Sequence, residues 1–594
     1  MLDEQVSPGT SQPNTTYSVV QGATRALWKL RGACKELLPK EVLEQTENVS
    51  FTSANQEGAQ FPTPLRQQDA TGAAKALEAC VAAAIADLRY GAELRTIHVD
   101  LDKTACFLMS AYLTTIDGMD KGKPGVKNKV PDTDLNKAQS ILYRRLSANL
   151  YETRTPGEYY HIHGSLDATT TLNMIGLPAH HPQLTEYKQC IDTIEKAVKR
   201  FTVKELEAMN RNKGQAGCPA LTRADFLKTP HGRAMKKLPP LTVDALEITS
   251  PAVPFPTPSV TALGGGGDPR RALAGIKVLE LCRVIAGPTI GRSLAAHGAD
   301  VLKVTSPKLP DVPFFQLDVN TGKHCTSLDL RDPADRVAFE SLLEDVDVVI
   351  DGYRPGALDR LGYGPRFLLK LAAQRGKGLV YVAEDCFGGT GLRGGTEWSA
   401  RPGWQQIADC VTGVAWAQGP VVPPFPMSDY GTGVLGAAAA MAGLYKRAVQ
   451  GGSWVCRTSL VQYDMFLLGL GLLPVKEQAR LTELHVKEGY PSFFQLKHHD
   501  SVDEVGRRAL VSMRRVSPHL FEEAMMHSGY SPGFQGKLRW PREAVAITGL
   551  RVGHVRTARP NGYDRKPGWN NGNGNGNDGW EVDEELVLQT EKGR

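Results

Sequence analysis

Four short apolar runs, IKVLEL, ADVLKV, VDVVID and GLVYVA, recur between Ile276 and Ala383, with helix-like segments such as PADRVAFESLLED between them. A strand, helix, strand rhythm of this kind requires parallel strands joined by right-handed crossovers. The expected fold class is therefore α/β, with a Rossmann-like parallel sheet in the C-terminal half. The helix after the first run, TIGRSLAAHG, ends on glycine where a helix would stop.

With 594 residues the chain is too long for one ordinary core, so two or more domains are expected. Basic and acidic side chains number 69 and 64, a near balance that gives no case for nucleic acid or an anionic membrane surface as partner. No uncharged apolar run is long enough to span a bilayer. The N-terminus lacks a signal-peptide pattern and the final TEKGR is no peroxisomal address, so a cytoplasmic location is expected. Ten cysteines lie between Cys34 and Cys456 without a CxxC pair, which suits reduced thiols better than disulfides or a zinc site.

Residues 1–20 read as disordered, 21–248 as one half, and 249–270, rich in proline and then glycine, as a linker. Residues 271–510 hold the parallel sheet, 511–565 form an extension, and 566–594 a low-complexity tail. Within the first half, DKGKPGVKNKVPDTD reads as a mobile loop and EYYHIHG as a strand edge. The TIHVDL strand has no visible sheet of its own. There is also a hint of internal duplication. The segment from Ala83 and that from Ala442 both run helix, glycine turn, strand, apolar helix, aligning Leu101 with Leu460 and Phe107 with Phe466.

Ligands of open parallel sheets bind outside the carboxyl ends of the strands. Three segments fall there: CRVIAGP, DGYRPGALDRLG with Arg354 and Arg360, and the loop carrying Asp429. Asp429 opens a small-residue helix, so it is either a helix cap or a nucleophile. His161, His163, His180 and His181 lack a third-ligand spacing, and no metal site is expected.

From Leu273 to Leu473 an ordered series, LAGIKVLEL-x4-AGP, HGADVLKV, GKHCTSLDL, DVVIDGYRPGALDRLGYGP and DYGTG, resembles the family III CoA-transferases, which include formyl-CoA and carnitine CoA-transferases. The resemblance implies an Asp429 nucleophile that passes CoA from an acyl-CoA to a carboxylic acid through an aspartyl-CoA thioester. It implies CoA contacts at Val284, Ile285, Leu328, Gly352 and Arg360, with CoA as substrate and no permanently bound cofactor. It further implies a homodimer, and a degenerate N-terminal half that contributes small-domain-like helices and strands. Departures are Ser306 in place of a basic residue and Gln405 in place of an acid; Asp409, one turn on, inherits no role. The wording RPGWQQIADCVTG resembles a fungal branch, with short acyl groups such as acetyl among the candidates and secondary metabolism a possible setting. Alternatives are a non-catalytic paralogue and an acyl-CoA racemase. Against the racemase, Trp404 stands where such enzymes carry histidine.

Overall fold

The computed structural model describes residues 17–54, 58–93, 95–257, 270–391, 395–565 and 569. Three helices and seven strands position the site: α1 (Gln67–Tyr90), β1 (Leu241–Glu247), β2 (Lys277–Leu281), α2 (Ala286–Ala296), β3 (Asp300–Thr305), β4 (His324–Ser327), β5 (Val348–Asp351), β6 (Val380–Asp385), α3 (Met427–Gln450) and β7 (Ser453–Ser459). The strands form one mixed sheet in the order β4–β3–β2–β5–β6–β7–β1. Strands β2 to β7 are parallel; β1 pairs antiparallel with β7.

Both faces of the sheet are buried, as continuous apolar strands require. Val278, Val301, Ile350 and Val382 enter one core, while Leu279, Leu302, Val349 and Tyr381 enter the other. The order reverses between β2 and β5, so the loops leaving those strands diverge and open a crevice at their carboxyl ends.

Helices α2 and α3 pack closely on the first face. The approach depends on missing side chains: a Cβ on Gly433 would lie 2.4 Å from Thr289 Cβ, and one on Gly436 would lie 2.6 Å from Ile290 Cδ1. Alanine-rich α1 lies against α3 and is buried from Gln67 to Ala86. The two segments aligned by the suggested duplication are therefore neighbours in space. In each, a long helix leads to a strand, and Leu101 and Leu460 each begin the helix that follows.

Several local expectations are corrected. The first half contributes β1 to the large sheet, at its edge beside β7. Strand Ile97–Asp100 does have a sheet, between Val49–Thr52 and Val545–Ile547. Strand Tyr159–His163 is the centre of a three-stranded sheet, not an edge, flanked by Ala148–Glu152 and Cys218–Pro219. With helices Tyr187–Val198 and Val203–Lys213 it encloses its own core around Tyr151, Tyr160, Ile162 and Ile191. The Asp120–Asp134 loop is fixed by burial of Val126 and Val130 and by ion pairs from Lys121 and Lys129. Tyr17 and Val19, within the stretch read as disordered, are buried, and a helix begins at Val19. The 249–270 linker is docked where described: Val253 N–H donates to the Arg447 carbonyl at the end of α3. Residues 1–16, 258–269 and most of the tail lie outside the described residues; Trp569 is described, its indole N–H 2.8 Å from the Leu342 carbonyl.

All ten cysteines are buried and unpaired. No described helix is long and apolar enough to cross a membrane.

Candidate active site

Asp429 is the third residue of α3, in the first turn, where unpaired backbone N–H groups and the helix dipole favour negative charge. Its side chain caps nothing: the residue preceding the helix is Pro426, and the Asp429 carboxylate makes no hydrogen bond among the described residues. It is 9% exposed. Burial first, and then the charge of Asp464, push its carboxyl up to about 8.

Two cavities meet at Asp429. The larger, about 360 Å³, runs along the strand-end crevice past Arg283, Gly352, Tyr353 and Arg354. The smaller, about 120 Å³, is walled by Tyr112, Val312, Phe315, Trp404 and Gln405. Val284 and Ile285 line both. Strain is concentrated here. Val284 has φ 68° and Phe425, just before α3, φ 67°. A non-glycine residue held in that region costs about 1–3 kcal/mol, and such costs collect at functional sites.

Behind Asp429 lies a second layer of acids. Ser428 Oγ is 3.0 Å from Asp409 Oδ1 and 2.6 Å from Asp464 Oδ1. A hydroxyl donates only one proton, so one of these carboxyls carries its own and donates to the serine. Burial accordingly raises Asp464 to about 7 and Asp409 well above the carboxylate range. Gln405 Nε2 donates to the other oxygen of Asp409, which explains an amide where an acid was expected: a further charge would face Asp409 unscreened. Glu384, also on the larger cavity, is raised by burial and then by Asp385, Asp429 and Asp351.

The residues named from the sequence divide. Asp429, Val284, Ile285 and Gly352 come together on the larger cavity. At Gly352 a Cβ would lie 2.8 Å from Cys282 Sγ, so a side chain has no room here. Leu328 does not line the cavity; it is buried in the second core beside Leu330 and Phe339. Arg360 does not line it either. It sits exposed near the end of a short helix, Ala357–Leu361. Ser306 lines a separate 170 Å³ cavity that shares Arg283 and Leu309 with the larger one.

Arg283 and His163 also line the cavities, the first given no role from the sequence and the second weighed there only as a metal ligand. Arg283 sits inside the quoted CRVIAGP loop, donates to the Pro310 carbonyl at 2.7 Å and lies over the Tyr353 ring. His163 comes from the N-terminal half and stacks on Trp404, rings 5.5 Å apart at 7°. Its Nδ1 accepts the Ser165 N–H, and burial lowers it to about 4, so it is neutral. His161 stacks on His163, whereas His180 and His181 pack against Arg144 and Tyr143. One described group of three, Glu195, His498 and His499, does gather ligand atoms within 4.8 Å, with the Glu195 carboxylate facing both histidines.

A doubly covered α/β sheet with a buried carboxylate at a helix start, facing a strand-end crevice, is the arrangement of an α/β ligand-binding protein with a reactive acid at its site. Comparison with known proteins gives the family. The model of CoA-transferase family III matches residues 273–480. The chain is 33% identical over 452 residues to the acetyl-coenzyme A transferase nodX of Hypoxylon pulicicidum, covering 73% of each chain. It is 32% identical over 480 residues to an acyl-CoA transferase of Gibberella moniliformis, covering 77% of this chain and 82% of the other. The crystal structure of Rv3272 from Mycobacterium tuberculosis matches 50% of this chain and 98% of that one at 19% identity, with a TM-score of 0.36. The protein belongs to CoA-transferase family III and is an enzyme of that family.

Proposed function

We propose that the enzyme moves CoA from a short acyl-CoA to a carboxylic acid, with Asp429 as nucleophile. The observation that carries this reading is the placement of Asp429: buried, unbonded, and open to both cavities. The Asp429 carboxylate attacks the thioester carbonyl, forming a mixed anhydride and releasing CoA thiolate. The thiolate attacks the Asp429 carbonyl, expelling the donor acid and leaving an aspartyl-CoA thioester. The acceptor carboxylate then attacks that carbonyl, again giving an anhydride and thiolate. Thiolate attack on the acceptor's acyl carbon frees the new acyl-CoA and restores Asp429. A nucleophile splits one difficult exchange into easier steps, and burial makes this carboxylate more basic and hence a stronger nucleophile.

The larger cavity is read as the CoA channel, with Arg283 and Arg354 available to phosphate oxygens. The strand order, reversing between β2 and β5, supports a Rossmann-like reading of this half. A fungal relative named for acetyl-CoA supports a short acyl group. The racemase alternative is disfavoured by Trp404 and His163 together. Indole has no titratable base here, and the Nδ1 lone pair of His163 is taken by a backbone N–H. Mass spectrometry of the protein after exposure to a panel of acyl-CoAs tests the proposal: an adduct on Asp429 supports it, and no adduct with any acyl-CoA defeats it.

A further inference from the structure

Resting on that reading, we propose that the smaller cavity is the acid subsite and that it selects short acids carrying a second anionic group. The larger cavity holds the strand-end arginines, so the smaller one, which also reaches Asp429, remains for the acid. At about 120 Å³ it takes a short chain and excludes a long fatty one.

The charges on its wall decide the class. Lys121 and Arg145 both reach Asp503: Lys121 Nζ is 2.6 Å from Oδ1 and Arg145 a guanidinium nitrogen 3.3 Å from Oδ2. Tyr112 also hydrogen-bonds this carboxylate. Asp503 therefore has both oxygens engaged, yet it neutralises only one of two cations, and the cluster keeps one net positive charge. The Lys121 ammonium stands 5.4 Å from the centre of the Tyr112 ring and 5.0 Å from that of Phe315, which holds it at the cavity wall. The three side chains are 27%, 39% and 26% exposed, so the cluster is reachable by a ligand rather than sealed in a core.

In the covalent stages the charge of Asp429 is consumed as anhydride or thioester. The cavity then faces the acid with a net positive charge in a partly desolvated space, where an opposite charge is held more strongly than in water. The reacting carboxyl sits at Asp429, and a distal carboxylate, as in succinate or glutarate, answers Lys121 and Arg145. Lys121, Arg145 and Tyr112 all come from the N-terminal half, which gives that half a role in choosing substrate.

Two measurements on the full-length enzyme test this. The first is calorimetry of glutarate against valerate on the CoA-loaded protein, which needs no turnover. Glutarate is expected to bind at least about tenfold tighter, and Lys121→Met or Arg145→Met to cut that ratio about tenfold, the scale of one charge-assisted hydrogen bond. Lys121→Arg is expected to retain most of it. The second is the kcat/KM ratio of succinyl-CoA to butyryl-CoA, expected to fall likewise, chiefly through KM. Equal binding of the two acids by wild type, or an unchanged ratio in folded variants, overturns the inference. If Asp429 is labelled by no acyl-CoA while glutarate still binds selectively, the transfer reading fails and the anion subsite stands.

Discussion

Asp69 and Asp429 are each the third residue of a 24-residue helix, and those two helices, α1 and α3, lie packed against each other. Their surroundings differ. Asp69 accepts a hydrogen bond from the Tyr17 hydroxyl at 2.6 Å and pairs with Arg66 at 3.2 Å. Asp429 is left unbonded at the meeting point of two cavities. The duplicated geometry thus carries one sealed acid and one open acid.

Asp69→Asn is expected to keep transfer activity within a few-fold while lowering stability by about 1–3 kcal/mol, because Arg66 is left without its counter-charge and the Tyr17 hydroxyl without a charged acceptor. Thermal denaturation read beside initial rates separates the two effects. Loss of transfer with unchanged stability would place Asp69 in the chemistry instead.

Transfer should be alkaline-dependent. Asp429 acts ionised, and burial holds its carboxyl up to about 8, so kcat/KM is expected to rise with pH and level off above that value. Asp464 is the second cause of that shift, so Asp464→Asn should move the rising limb to lower pH. A limb that stays in place would show that Asp464 does not act on the nucleophile.

The same acid layer should destabilise the fold at high pH. Asp464 is raised in the folded protein to about 7, so its protonated form favours folding. That contribution is fully present below the unfolded value of 3.8 and is lost as pH rises through about 7. Asp464→Asn, which mimics the protonated form, is expected to gain about 1–2 kcal/mol at pH 9 and little at pH 4. Denaturant melts at the two pH values measure this directly.

Arg283→Ala should weaken CoA binding by about 1–3 kcal/mol, the scale of a lost charged hydrogen bond. Arg360→Ala should cost no more than about 0.5 kcal/mol, since Arg360 is exposed outside the cavity. Calorimetry that ranks the two in the opposite order would restore Arg360 to the site.

What was legible in the sequence was local. Strands β2, β3, β5 and β6 announced themselves because both sheet faces are covered, which makes each an uninterrupted apolar run. Asp429 was legible because a lone acid opened a helix of small residues. What was hidden depends on distant pairing. Strand β1 joins the sheet beside β7, more than 200 residues along the chain, and Ile97–Asp100 finds a partner at Val545–Ile547. Neither pairing leaves a periodic mark. Leu328 and Arg360 fall outside the larger cavity for a related reason: motif position fixes a place in the chain, whereas the turn Gly356–Gly362, with positive φ at both glycines, decides where Arg360 ends up. His163 was known as a residue, but only the docking of the Tyr159–His163 strand brings it to Trp404.

The most direct test of the account is hydroxylamine trapping after incubation with an accepted acyl-CoA, followed by peptide mass spectrometry. Hydroxylamine attacks an activated carboxyl carbon and leaves a hydroxamate on it. The account predicts that hydroxamate on the peptide containing Asp429, in wild type and in Asp69→Asn, and its absence in Asp429→Asn. A hydroxamate on another acid, or turnover of CoA between acids in Asp429→Asn, would contradict it.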